Sequence, residues 1–140
     1  MNVLIDTNVV IDVLIQREPY FKHSQLVLLA SEQKYINGFV SASAITDIFY
    51  IVNKSLKNKT ATCELMKKDF IGTINIAAVD GDIIFEALNA EWDDFEDCVQ
   101  YIVGESISAD YIVTRNPKDF KNTSINIVEP EELLNIIAPE

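Results

Sequence analysis

The chain has 140 residues, 49% of them hydrophobic, with 22 acidic against 11 basic side chains and a formal net charge of -11. That is enough apolar material for one domain over residues 1–140 to bury a full core without disulfides or structural zinc, and no apolar run approaches the ~20 residues that cross a membrane. The charge argues against indiscriminate nucleic-acid binding, and a start that lacks the basic region and apolar core of a signal peptide gives the expectation of a cytoplasmic protein.

In chain order, Val3 to Ile5 is a short β-branched apolar run that reads as a buried strand, and Val9, Val10, Val13 and Leu14 then recur at helical spacing. A helix is predicted over Phe21 to Lys34, a second strand over Gly38 to Ser41, and a helix carrying Ala44, Ile45, Ile48, Phe49 and Val52 that stops in a lysine-rich segment. Thr60 or Thr62 is expected to cap the next helix, which runs to Ile71, before a third strand over Ile74 to Val79. Asp80 or Asp82 caps a helix through Ile84, Leu88 and Trp92, and another helix covers Phe95 to Ile107. A fourth strand over Tyr111 to Thr114, a fifth over Ile125 to Val128 and a helix over Pro130 to Ile137 complete the chain. Repeated β-α units with strands this apolar predict a three-layer α/β/α fold around a parallel sheet of about five strands. Cys63 and Cys98 have no CxxC spacing and read as two small buried thiols; His23, the sole histidine, reads as a surface residue on a helix.

In open parallel sheets the ligand crevice lies beyond the carboxyl ends of the strands, where strand order reverses. Asp6 ends the first strand; Ser41 and Ser43 end the second, with Asp47 in the first turn of the helix beyond; Asp94 and Asp97 open a helix; Arg115, Asn116 and Asp119 follow the fourth strand. Each has a plain structural explanation: Asp6 as a helix cap, Asp47 as a complement to a helix dipole, Asp94 and Asp97 as a solvated helix start, Asn116-Pro117 and Asp119 as a turn. Taken together they bring several acids to one sheet edge, and carboxylates ~4 Å apart repel by about 4 kcal/mol per pair at an effective dielectric near 20. A hard divalent cation is the usual agent that offsets such repulsion. The cations gather in two segments, Lys54, Lys57, Lys59, Lys67 and Lys68 in one and Arg115, Lys118 and Lys121 in the other. No GxxxxGK[ST], GxGxxG or GxSxG motif is present, and one histidine cannot supply a paired acid–base mechanism.

The stretches Val3-Leu4-Ile5-Asp6-Thr7-Asn8, Ser43-Ala44-Ile45-Thr46-Asp47, Asp94-Phe95-Glu96-Asp97-Cys98-Val99-Gln100-Tyr101 and Ala109-Asp110-Tyr111-Ile112-Val113-Thr114-Arg115-Asn116-Pro117-Lys118-Asp119-Phe120, in this order, resemble the PIN domain over essentially the whole chain. The resemblance implies a ribonuclease dependent on Mg²⁺ or Mn²⁺, of the kind found as VapC-type toxins of bacterial toxin–antitoxin pairs. It implies Asp6, Asp47 and Asp97 as the first three metal-binding acids and Asn116 with Asp119 as the fourth corner. Thr7, Asn8 and Thr114 would orient the ligands or the attacking water, and Asp94 would support or substitute for a ligand. The sequence departs from the family pattern at Asp47, where Glu is commoner, and at Asn116, where Asp often follows Thr-Arg. Lys54, Lys57, Arg115 and Lys118 would contact RNA, an antitoxin would cover the same rim, and the protein would form a homodimer. The alternatives are a haloacid-dehalogenase-like phosphatase, with Asp6 as nucleophile and Asn8 spoiling the second acid of its motif, and a PIN fold weakened in catalysis that serves as a binding module.

Overall fold

Alternation within the short strands decides the layering of the molecule. The computed structural model describes residues 1–70, 72–120 and 123–138, so Ile71 and Lys121 lie outside the described residues. Strands β1 (Asn2–Ile5), β2 (Asn37–Ser41), β3 (Asn75–Ala77), β4 (Tyr111–Val113) and β5 (Asn126–Val128) form one parallel sheet in the order β3-β2-β1-β4-β5. Successive strand side chains point to opposite faces. Val3, Ile5, Val40, Val113 and Val128 therefore join one buried cluster, while Leu4, Ala77 and Ile112 join a second.

Helices α1 (Thr7–Leu14), α2 (Phe21–Glu32), α3 (Ala42–Leu56), α4 (Lys59–Phe70) and α7 (Pro130–Ile137) contribute to the first cluster, and α5 (Gly81–Ala90) and α6 (Phe95–Ser106) to the second. The result is the three-layer α/β/α arrangement expected of the sequence. Leu4, Ile5, Ile48 and Ile112 are fully buried, and each such side chain contributes about 1.5–3 kcal/mol relative to exposure. Where α2 crosses β2, only glycine fits: a Cβ on Gly38 would stand 2.5 Å from Ser31 Oγ and 3.1 Å from Ile5 Cδ1.

Several local expectations are corrected. The helix after β2 begins at Ala42, which puts Asp47 in the second turn instead of the first. Asn58 caps α4, its Oδ1 accepting from the Ala61 N–H at 3.0 Å, while Thr62 is buried and bonds back to Asn53 and to the Asn58 carbonyl. Asp80 caps α5 by accepting from Ile83 N–H, but that helix ends at Ala90, because Glu91 adopts a left-handed conformation and takes Trp92 out of it. The third strand is shorter than expected and Thr114 falls just past β4. Cys98 is buried but Cys63 only partly so, and His23 is exposed on α2.

Candidate active site

Sheet register brings the first two site residues together. Ile5 pairs with Val113, so the next residues, Asp6 and Thr114, leave the sheet side by side at the carboxyl edge. The chain runs outward from β1 to β2 and β3, then returns to β4 on the other side, and this edge is therefore the point where strand order reverses. Asp6 is 7% exposed. Neutral donors surround its carboxylate: Thr7 N–H and Gln100 Nε2 donate to Oδ1 at 2.8 and 2.9 Å, and Thr114 Oγ1 and Asn8 Nδ2 to Oδ2 at 2.8 and 3.4 Å. Asp6 is thus both the cap of α1 and the hub of a polar network. Asn8 Oδ1 in turn accepts from Arg115 N–H at 3.3 Å, which ties the loop after β4 to α1.

A crevice of about 530 Å³ opens at this edge, lined by Asp6, Thr7, Asn8, Ile11, Arg17, Asp47, Tyr50, Ile51, Glu96, Asp97 and Arg115. α3 supplies Asp47 and, one turn further on, the exposed Tyr50 and Ile51. α6 supplies Glu96 and Asp97 from its first turn, which Asp94 caps by accepting from Asp97 N–H at 3.0 Å. A cap of this kind contributes about 1 kcal/mol, so Asp94 has a structural role of its own.

Charge is unbalanced on this side. Burial, then the charges of Asp94, Asp6, Asp119 and Glu96, push the Asp97 carboxyl up to about 7. The Glu96 carboxyl is also raised, first by its hydrogen bond with the Asp47 side chain, then by burial and by the charges of Asp47, Asp94 and Asp6. A carboxyl–carboxyl hydrogen bond requires a proton that a cation could replace. The donor chemistry therefore fits a hard divalent ion: oxygen ligands, excess negative charge, and no histidine or cysteine lining the crevice. Among the described residues no three of His, Cys, Asp and Glu converge tightly enough to grip an ion as they stand, so the fit is one of chemistry and not of a finished cage.

The remaining expected residues scatter around the crevice. Asp119, exposed in the 3₁₀ turn Pro117–Asp119, lines a neighbouring hollow with Lys118, Asp94, Trp92 and Tyr101, yet its charge still reaches Asp97. Asn116 lines another hollow, with Tyr20 and His23. Lys54 and Lys57 are exposed at the end of α3 and do not line the crevice. Arg115 does, but it is also ion-paired with Asp12 at 2.7 Å and lies 4.0 Å over the Tyr20 ring.

Sequence reasoning missed Glu96, which it folded into an acidic run; Gln100, the polar residue on the buried face of α6; and the set formed by Asp12, Arg17 and Tyr20. Asp12 carried a signal, a lone acid within the apolar run Val9-Val10-Ile11-Asp12-Val13-Leu14, because a buried charge calls for a partner.

A doubly wound parallel sheet with an acidic crevice at its switch point defines an α/β protein whose ligand crevice, by the rule for open parallel sheets, lies at that edge. Residues 2–118 match the PIN domain, and the chain belongs to the PIN-domain family. None of the curated proteins matches the sequence. Among solved structures, the fold is similar to a toxin–antitoxin complex from Klebsiella pneumoniae, at 21% identity over 91% of this chain and 97% of that one with a TM-score of 0.66. It is similar at the same TM-score to DNA-bound VapBC from Salmonella typhimurium, at 20% identity over 93% and 98% of the two chains. The Mycobacterium tuberculosis toxin VapC20, described as cleaving the sarcin–ricin loop, aligns at 13% identity over 79% of this chain and 86% of its own, with a TM-score of 0.63. These identities establish a shared fold.

Proposed function

We propose that this chain is an endoribonuclease dependent on Mg²⁺ or Mn²⁺ and the toxin of a bacterial toxin–antitoxin pair. The observation that carries the reading is the unbalanced acid set of Asp6, Asp47, Glu96 and Asp97 around one crevice at the switch point, with the Asp97 carboxyl pushed up to about 7. PIN domains generally use divalent metal ions, and the neighbours described as toxin–antitoxin complexes and as an RNA-cleaving toxin support the substrate class and the antitoxin partner.

Asp6, Asp47, Asp97 and Asp119 would hold the cation, with Glu96 as a further oxygen donor. Such an ion supplies a nucleophilic water at neutral pH and neutralises charge developing on the phosphate. The chain's own residues do the rest. Thr114, Gln100, Thr7 and Asn8 fix the Asp6 carboxylate in one orientation. Asn116 and Asp94 shape the turn and the helix start that carry Asp119 and Asp97. Arg115, with Lys118, Lys54 and Lys57 further out, draws the RNA backbone towards an otherwise repulsive surface, and Tyr50 offers an exposed ring on which a base can stack. The reading includes a cytoplasmic homodimer whose rim an antitoxin covers; no helix among the described residues is long and apolar enough to cross a membrane. A phosphatase reading has no comparable support, since it calls for a catalytic lysine and no described lysine lines the crevice.

Incubation of RNA with the protein and Mn²⁺ tests the proposal. Cleavage that EDTA stops and that Asp6→Asn abolishes is the expected result. An intact substrate would favour the weakened binding module, and cleavage unaffected by EDTA would overturn the metal requirement.

A further inference from the structure

Asp12 is fully buried in α1, and a buried carboxylate persists only when it is paired. Two arginines share it. Arg17 donates from Nε to Oδ1 at 3.0 Å, and the Arg17 N–H also bonds the Asp12 carbonyl at 2.9 Å. Arg115 Nε stands 2.7 Å from Oδ2 but off the N–H axis, a charge contact without a hydrogen bond. Ser24 Oγ adds a donor to Oδ2 at 3.3 Å.

The count leaves one positive charge over. One carboxylate neutralises one guanidinium, and among the described residues the second has no other ion-pair partner, within a protein of net charge -11. Both arginines line the crevice that holds Asp47, Glu96 and Asp97. Each faces Asp12 with its Nε, and no hydrogen bond among the described residues uses a terminal guanidinium nitrogen of either. Those terminal nitrogens form the planar fork that binds a phosphate bidentately. Arg17 is 38% exposed, enough for a ligand to reach it, while Arg115 at 19% is braced by Tyr20.

We infer that Asp12 is a positioning residue that grips both arginines from behind and presents their forks to an RNA phosphate, making Arg17 an RNA contact. This rests on the ribonuclease reading. It explains how an acidic protein offers a polyanion a foothold beside its carboxylates: the positive charge is concentrated and oriented at the crevice instead of spread over the surface.

The test is binding of a single-stranded RNA oligonucleotide across a salt series, with Ca²⁺ as the hard cation. Arg17→Gln should flatten the log–log salt slope by about 0.7 and weaken binding about fivefold at 0.1 M salt, the share of one phosphate contact to single-stranded nucleic acid. Arg17→Lys should keep the slope. Asp12→Asn removes a negative charge, so overall electrostatics alone would tighten RNA binding; a positioning role requires it to weaken. Should Asp12→Asn fail to fold, the partly exposed Arg17 variants decide the matter. Wild-type protein that binds while Arg17→Gln matches it in affinity and slope would overturn the inference alone. Wild-type protein that neither binds nor cleaves RNA would overturn the ribonuclease reading and this inference with it.

Discussion

At the end of β1, Asp6 accepts hydrogen bonds from Thr7, Asn8, Gln100 and Thr114, whereas Asp97 in the first turn of α6 accepts none among the described residues and faces Asp94, Asp6, Asp119 and Glu96. Both acids line the same crevice. Neutral donors satisfy the oxygens of Asp6, whereas at Asp97 burial raises the carboxyl and neighbouring acids add to the rise. The difference separates two tasks within one site. Asp6 is anchored by the fold and anchors it in return; Asp97 carries a carboxyl for which the described residues provide no cationic or hydrogen-donating side chain.

Truncating the anchored acid should have the largest effect. Asp6→Ala strands the buried Gln100 amide and Thr114 hydroxyl and removes the α1 cap, for a loss of about 2–4 kcal/mol in denaturant unfolding. A loss below about 0.5 kcal/mol, the scale of an ordinary surface substitution, would show that the network does not hold the strand end together. Gln100→Met sharpens the same side of the comparison. It removes one hydrogen bond to a carboxylate, together with a buried Oε1 that has no partner among the described residues, and should cost roughly 1–2 kcal/mol.

The other side should respond with the opposite sign. In chelator, Asp97→Asn is expected to raise the melting temperature by up to a few degrees, because it relieves repulsion and breaks no side-chain hydrogen bond. A clear drop would make Asp97 a structural residue like Asp6. The pH dependence follows from the same shift. The folded carboxyl titrates at about 7 and its ordinary value is 3.8, so its contribution to stability is full below that ordinary value and is lost as pH rises through about 7. Metal-free wild-type protein should therefore lose stability relative to Asp97→Asn across that window. Parallel pH profiles in thermal melts would contradict the assignment.

The sequence was most informative where a local rule and the global fold agree. Val3-Leu4-Ile5 followed by Asp6 announces a buried strand delivering an acid to the sheet edge, and the β-α repeats fix the architecture around it. Asp47 was legible as an acid near the start of the helix that follows β2, and Asp97 as one opening a helix, though the exact turn of Asp47 depended on where α3 begins. Gln100 was not legible: a glutamine on a helix looks like surface until the register of β1 against β4 and the packing of α6 bring it to Asp6. Arg115 was read as a free cation because Asp12, 103 residues earlier, is its partner only through the fold. The cap of α4 was misassigned because Asn58, Thr60 and Thr62 have similar capping chemistry, and only the helix start chooses between them.

Mn²⁺ titration by calorimetry, on wild type and Asp97→Asn at neutral pH, tests the central claim that the crevice carries charge awaiting a hard cation. The wild type should bind with proton release, since the Asp97 carboxyl is partly protonated there, and Asp97→Asn should bind weakly or not at all. Equal affinity and equal proton release in the two proteins would contradict the claim.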